Sequence, residues 1–134
     1  MQGLSLDVLP DVLAICRVPA DTPLAEVPTG GRFWSATRTQ DELSLIIQDD
    51  QVPKDWQAER GWRCLQVRGK LDFEATGVLS ALAAPLAFAG ISIFVVSTFD
   101  TDYILVREQD LDGACEVLSE HGNTVQKLRV NGEQ

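Results

Sequence analysis

The stretch GISIFVVSTFDTDYILVRE, residues Gly90 to Glu108, decides the fold. Two apolar runs, Ile91 to Val96 and Tyr103 to Val106, flank a polar knot, Ser97-Thr98-Phe99-Asp100-Thr101-Asp102. Short β-branched and aromatic runs on either side of turn residues read as a β-hairpin. The knot is longer than a tight hairpin needs, and it carries two carboxylates and three hydroxyls. Ser, Thr and Asp make turns by bonding their own backbone. They are also the groups that hold a small zwitterion. A carboxylate pairs with an ammonium or guanidinium, and hydroxyls hold a carboxylate. From the residues alone, both readings stand.

The surroundings of the hairpin extend the pattern. Upstream, Arg63 to Arg68 alternates with period two, and Gly69 ends the run. Phe73 to Phe88, rich in Ala and Leu, reads as a helix capped by Asp72 and stopped by Gly90, with a kink or a frayed last turn at Pro85. Downstream, Asp110 is placed to cap a helix whose Leu111, Ala114, Cys115 and Leu118 fall on one face. Gly122 stops it, and Thr124 to Val130 alternates as a last strand. The order β-α-β-β-α-β is the ferredoxin-like pattern, an α+β fold with an antiparallel sheet and helices on one face.

The first half is less regular. Leu4 to Leu9, Val12 to Val18, Arg32 to Arg38 and Leu43 to Gln48 read as strands. Prolines 19, 23 and 28 with Gly30 and Gly31 argue against a helix between them. Thr37-x-x-x-Asp41 followed by Leu43-Ser44-Leu45 matches Thr98-x-x-x-Asp102 followed by Ile104-Leu105-Val106. Residues 1–60 therefore read as a degenerate, mostly β copy of residues 61–134, with one helix lost to a Pro/Gly loop and the other reduced to a turn around Pro53 to Ala58. The boundary is expected at Ala58 to Gly61.

Composition narrows the function classes. The chain has 134 residues, 45% hydrophobic and 23% charged, with a net charge of −9. No Lys/Arg run is present, so neither nucleic acid nor an anionic membrane is an expected partner. The stretch Val78 to Val96 is broken by Pro85 and Gly90 and does not read as a span. Cys16, Cys64 and Cys115 are odd in number and far apart, which points to core packing rather than to a disulfide or zinc framework. With no signal peptide pattern, a cytoplasmic protein is expected. His121 is the single histidine, at a helix end, and no phosphate loop or nucleophile elbow occurs. Asp100 and Asp102 form a conceivable acid–base pair or cation site but lack a third well-spaced ligand. No enzyme, cofactor or metal is expected. Trp34, Trp56 and Trp62 read as packing anchors between the two halves, and open sheet edges lead to the expectation of a dimer.

Gly90-Ile91-Ser92-Ile93-Phe94, Ser97-Thr98-Phe99, Thr101 to Val106 and Glu108 resemble the signature of small bacterial ACT-domain proteins, and the hairpin is similar to those of the CASTOR-type arginine sensors and of aspartate kinase ACT modules. The resemblance is strong over residues 90–108 and looser over 62–130. It implies tandem ACT-like modules, the first degenerate, and a non-catalytic regulatory protein that holds an amino acid where ACT modules meet. By position, Gly90, Ile91 and Ser92 begin the strand beside the site. Ser97, Thr98 and Phe99 match the pocket wall, and Asp102 matches the acid that faces the ligand's positive group. Gly69 to Asp72 corresponds to the strand–helix loop, although Gly-Lys-Leu-Asp stands where the family has Asp-x-Pro-Gly. A structural or protein-interaction module with an inert hairpin is the competing expectation.

Overall fold

The computed structural model describes residues 3–69 and 76–129. Among them the strands are β1 (Ser5–Val18), β2 (Ser35–Arg38), β3 (Leu43–Gln48), β4 (Gln57–Val67), β5 (Ile93–Ser97), β6 (Asp102–Arg107) and β7 (Thr124–Lys127). The helices are α1 (Val78–Phe88) and α2 (Leu111–Glu120). Short 3-10 turns occupy Leu24–Glu26, Asp49–Gln51 and Glu108–Asp110. The chain divides into two compact units, Met1–Pro10 with Arg63–Gln134, and Asp11–Trp62.

The first of these units has the expected order β4-α1-β5-β6-α2-β7. Both helices cover one face of its sheet. Leu82 and Leu86 of α1 and Leu111, Ala114 and Leu118 of α2 share a core with Leu65, Val67, Ile104 and Val106. Each such fully buried Leu or Ile contributes about 1.5–3 kcal/mol of transfer free energy. Both helices stop at a glycine with positive φ, Gly90 (φ 79°) and Gly122 (φ 88°). The same double closure follows each. Gly90 N–H bonds the Ala87 carbonyl at 3.0 Å and Ile91 N–H the Leu86 carbonyl at 2.9 Å, while Gly122 bonds Ser119 at 3.1 Å and Asn123 bonds Leu118 at 3.1 Å. These paired bonds satisfy the helix-end carbonyls and turn the chain into the next strand.

One expectation, the capping of α2 by Asp110, is corrected here, and the course of α1 through Pro85 and the sheet order are now defined. Pro85 stays inside α1, which runs on to Phe88. Asp110 holds the N-cap position of α2, but its side chain makes no capping bond, because a 3-10 turn already leads the backbone into the helix. The last strand does not lie beside the strand that precedes α1. The sheet order in this unit is β7-β1-β4-β6-β5. The start of β1 fills the gap, parallel to β7, with Ser5 opposite Thr124 and Val8 opposite Lys127. Residues up to Pro10 thus group with residues 63–134 and not with the rest of the first half, because Leu6 and Val8 are fully buried in that core. Asp72 and Phe73, expected to cap and begin α1, lie outside the described residues, as does Val130 at the expected end of β7.

The N-terminal segment is fastened closely. Leu4 N–H bonds Asn123 Oδ1 at 3.0 Å, and Thr124 N–H bonds the Leu4 carbonyl at 2.8 Å. Asn123 Nδ2 in turn donates to the Leu118 carbonyl at 3.0 Å. A Cβ on Gly3 would stand 1.9 Å from the Gly122 carbonyl oxygen, so no side chain fits there. Arg68 pairs with Asp7 and also reaches Gln126 Oε1 at 2.9 Å, tying β4, β1 and β7 across their polar face.

The Asp11–Trp62 unit is built from strands and 3-10 turns. From Asp11 onward β1 pairs antiparallel with β3, Leu13 opposite Gln48 and Val18 opposite Leu43, and β3 pairs antiparallel with β2. Ala14, Cys16, Val18, Val27, Leu43, Leu45, Ile47 and Val52 form its core, with Trp56 packed against them. The Pro-rich stretch holds the 3-10 turn Leu24–Glu26 in place of a helix. The second turn falls at Asp49–Gln51 and a bond from Trp56 N–H to the Pro53 carbonyl at 3.1 Å follows it, after which β4 begins at Gln57. Trp62 is buried, whereas Trp34 is 39% exposed.

Candidate functional site

β5 and β6 form the hairpin read from the sequence, antiparallel, with Ile93 opposite Val106 and Ser97 opposite Asp102. The loop is Thr98 to Thr101. Thr98 N–H bonds the Thr101 carbonyl at 2.8 Å. The Thr98 hydroxyl donates to that carbonyl at 3.1 Å and accepts from Thr101 N–H at 3.3 Å. Thr101 is the one buried polar residue among those described, and its hydroxyl donates to the Val67 carbonyl at 2.8 Å. These two threonines therefore do structural work: Thr98 closes the loop, and Thr101 fastens it to the end of β4.

Ser97 and Asp102 differ in kind. Ser97 Oγ donates to Asp102 Oδ1 at 2.6 Å, a short bond typical of a carboxylate acceptor. Asp102 is half-buried while Ser97 is exposed. The pair presents a fixed carboxylate at the mouth of the hairpin. Phe99 projects at the tip, 80% exposed. Asp100 is exposed beside it. Burial, with the Cys64 thiol and the Asp100 carboxylate behind it, pushes the Tyr103 phenol above its ordinary range.

The expected site residues fall into two groups. Ser97, Thr98, Phe99 and Asp102 gather at one end of β5. Gly90, Ile91 and Ser92 lie at its other end, where the turn after α1 delivers the chain. Five residues of extended strand separate Ser92 from Ser97, about 17 Å. Within one chain the two groups do not meet around a single small molecule. Ile91 packs against the core, and its Cδ1 would stand 3.9 Å from a Cβ on Gly113 of α2, an ordinary contact distance. The loop Gly69 to Asp72 lies outside the described residues beyond Gly69.

The other hairpin clarifies the internal match. In the β2–β3 loop, Thr39 N–H bonds the Glu42 carbonyl at 2.9 Å and the Thr39 hydroxyl accepts from Asp41 and Glu42 N–H groups at 3.1 and 3.2 Å. This is the geometry of Thr98 to Thr101, so Thr39 corresponds to Thr98, not Thr37. The sequence match pairs residues two positions out of register. In the structural register Arg38 and Leu43 stand where Ser97 and Asp102 stand. No carboxylate occupies that place, and the loop is held instead by Arg17, which pairs with Glu42 at 3.1 Å and donates to the Asp41 carbonyl at 3.0 Å.

A family model described as the ACT domain matches residues 57–120, and a model of an N-terminal domain matches residues 11–55. The human protein named cytosolic arginine sensor for mTORC1 subunit 1 is 40% identical over 100 residues, which cover 66% of this chain and 30% of that protein. The chain thus spans under a third of the length of that relative. An X-ray structure of a protein from Agobacterium tumefaciens superposes with a TM-score of 0.88 at 36% identity over 96% of both chains. The regulatory subunit of aspartate kinase from Thermus flavus shares the fold, with a TM-score of 0.59 at 12% identity over 90% of this chain and 97% of that one.

Proposed function

Because the chain belongs to the ACT-domain family, with a regulatory amino-acid-binding role that its relatives support, we propose that it is a non-catalytic sensor in the cytoplasm that holds a free amino acid where two ACT modules meet in a homodimer. The observation that carries this reading is the Ser97–Asp102 pair at 2.6 Å. It fixes a half-buried carboxylate at the end of the hairpin whose loop carries an exposed aromatic, Phe99. Asp102 receives the ligand's ammonium or guanidinium, and Phe99 covers its apolar stem. Gly90, Ile91 and Ser92 line the site from a neighbouring module. The Asp11–Trp62 unit is a reduced copy of the module in which Leu43 replaces the acid, so it has no site of its own. Binding acts by favouring one of two conformational or association states, and it does so only through a difference in affinity.

A thermal-shift screen of the common amino acids tests this. At a hundred times its Kd, a ligand stabilises the fold by about 2.7 kcal/mol. The human relative is named for arginine, so L-arginine is the first probe. A shift in the wild type that is lost in Asp102→Asn is the expected result. No shift with any amino acid at millimolar concentration sinks the reading. The competing reading is an interaction module with an inert hairpin. It draws on the Thr98 and Thr101 hydroxyls, which are both engaged within the fold.

A further inference from the structure

The hairpin loop and the start of β1 are bonded to the same peptide group. The carbonyl of Val67 and the N–H of Arg68 belong to one amide, where β4 ends. Its carbonyl accepts the Thr101 hydroxyl at 2.8 Å. Its N–H donates to the Ser5 carbonyl at 2.8 Å. A trans peptide group is planar, with C=O and N–H pointing in opposite directions. A tilt of the plane that follows one partner therefore disturbs the bond to the other. Each bond also polarises the amide and strengthens the one on its far side.

Both partners of this amide are tied to further groups. On the hairpin side, Thr101 immediately precedes Asp102, the carboxylate that Ser97 holds. The Thr101 carbonyl takes both the N–H and the hydroxyl of Thr98, so the loop is one closed piece. On the strand side, the Arg68 guanidinium pairs with Asp7 and reaches Gln126 of β7 at 2.9 Å. Next to Ser5, Leu4 N–H bonds Asn123 Oδ1 and the Leu4 carbonyl accepts Thr124 N–H. β7 pairs only with β1 among the described residues, so the seating of β1 decides whether β7 has a neighbour in the sheet.

We infer that the Val67–Arg68 peptide is a relay between the hairpin and the first residues of β1: the order of the loop sets how firmly that strand is seated, and the seating of the strand sets how firmly the loop is held. The two states are the strand in place and the strand released. Release uncovers Leu6 and Val8, both fully buried, so the released form is a minor, locally opened state. A bond gained or lost at the shared amide changes its population about two- to tenfold. The part played by a ligand, and that part alone, rests on the amino-acid reading. A cation on Asp102 orders the loop and thereby seats the strand, and the coupling is reciprocal. Occupancy of the hairpin is then read at β7, the edge of this unit's sheet opposite β5.

Amide hydrogen exchange followed by NMR tests the relay in the ligand-free protein. In Thr101→Val the Arg68, Leu4 and Thr124 amides exchange about tenfold faster relative to the Leu82 amide of α1 in the same sample. Thr101→Ser, which keeps the donor, restores the wild-type ratio. Leu79→Ala, which thins the packing of α1 on the core, lowers stability without changing that ratio. From the other side, Asn123→Ala lets Leu4 go and speeds exchange of the Arg68 amide and of the Thr98 amide, which is bonded to the Thr101 carbonyl. Equal acceleration of all these amides in Thr101→Val overturns the inference, because Thr101 then only supports the fold. So does an Asn123→Ala protein whose Arg68 and Thr98 amides keep their wild-type rates. Saturating L-arginine slows the Leu4 and Thr124 amides of the wild type, and fails to do so in Thr101→Val although its thermal shift remains. An amino acid that binds and leaves those two amides unchanged overturns the ligand's use of the relay. A protein that shows the exchange pattern but binds no amino acid keeps the relay and loses the sensor reading.

Discussion

Thr101 Oγ1 reaches the carbonyl oxygen of Val67 at 2.8 Å, across 34 residues of sequence. It is the bond that fixes the hairpin loop to the end of β4, and both residues are buried. Replacing Thr101 by Val keeps the shape and removes the donor. The Val67 carbonyl is then buried without that partner, a loss of about 1–3 kcal/mol. Urea denaturation of Thr101→Val and Thr101→Ser measures it: the serine variant stays close to wild type and the valine variant falls by that amount.

Ser97 has the opposite profile. It is exposed, and its bond to Asp102 is local. Ser97→Ala leaves stability within about 0.5 kcal/mol of wild type, as surface changes do. It lowers amino-acid affinity several-fold by releasing the carboxylate from its fixed position. Calorimetric unfolding and a ligand titration on the same preparation separate the two effects.

Gly90 ends α1 with φ 79°, a conformation that opposes any Cβ. A left-handed backbone costs an L-residue about 1–2 kcal/mol. Gly90→Ala therefore lowers the melting temperature by several degrees, whereas Ala89→Gly, one position earlier in an ordinary conformation (φ −82°), changes it less. Gly3→Ala is opposed by contact and not by torsion, since its Cβ would meet the Gly122 carbonyl. Differential scanning calorimetry on the three variants distinguishes strain at the helix end from loosening of the N-terminal strand.

The thiol of Cys16 is pushed up from 9.0 to about 11 by burial, against the opposing pull of Arg60. In the unfolded chain it ionises near the ordinary value. The folded state thus retains a proton that the unfolded state has lost, and stability falls with pH between about 9 and about 11. Below that window Cys16 contributes no pH dependence. Cys16→Ala flattens the slope of the unfolding free energy across it. Cys115, half-buried and also raised by burial, is alkylated by iodoacetamide at pH 8 before Cys16 and Cys64, which are buried.

The second half of the fold was legible because its signals are local. Gly90 and Gly122 stop helices by backbone geometry, the alternation in Arg63 to Arg68 follows from one face being buried, and the apolar run Ile91 to Val96 reads as a strand by composition. The hairpin loop was legible for the same reason. What local signals do not carry is pairing. Nothing in Leu4 to Leu9 says that its neighbours are β4 and β7, since an alternating strand suits any sheet with a matching face. The internal match was read two residues out because Thr37 and Thr98 agree in type while Thr39 and Thr98 agree in hydrogen bonding. In the candidate site, the Ser97–Asp102 pair follows from cross-strand register, but the distance between Ser92 and Ser97 shows only once β5 is seen to be extended.

The seating of β1 between β4 and β7 bears on how the molecule comes into being. Leu4 is held by Asn123, 119 positions away. The strand that leads this sequence has no complete berth until the helix and strand that close it have also been made. Such remote pairing is slow, because a long loop must close before any contact rewards it. Until then Leu6 and Val8 are apolar side chains awaiting cover, and a ribosome-bound or truncated chain ending before Thr124 is the form of this protein most exposed to aggregation.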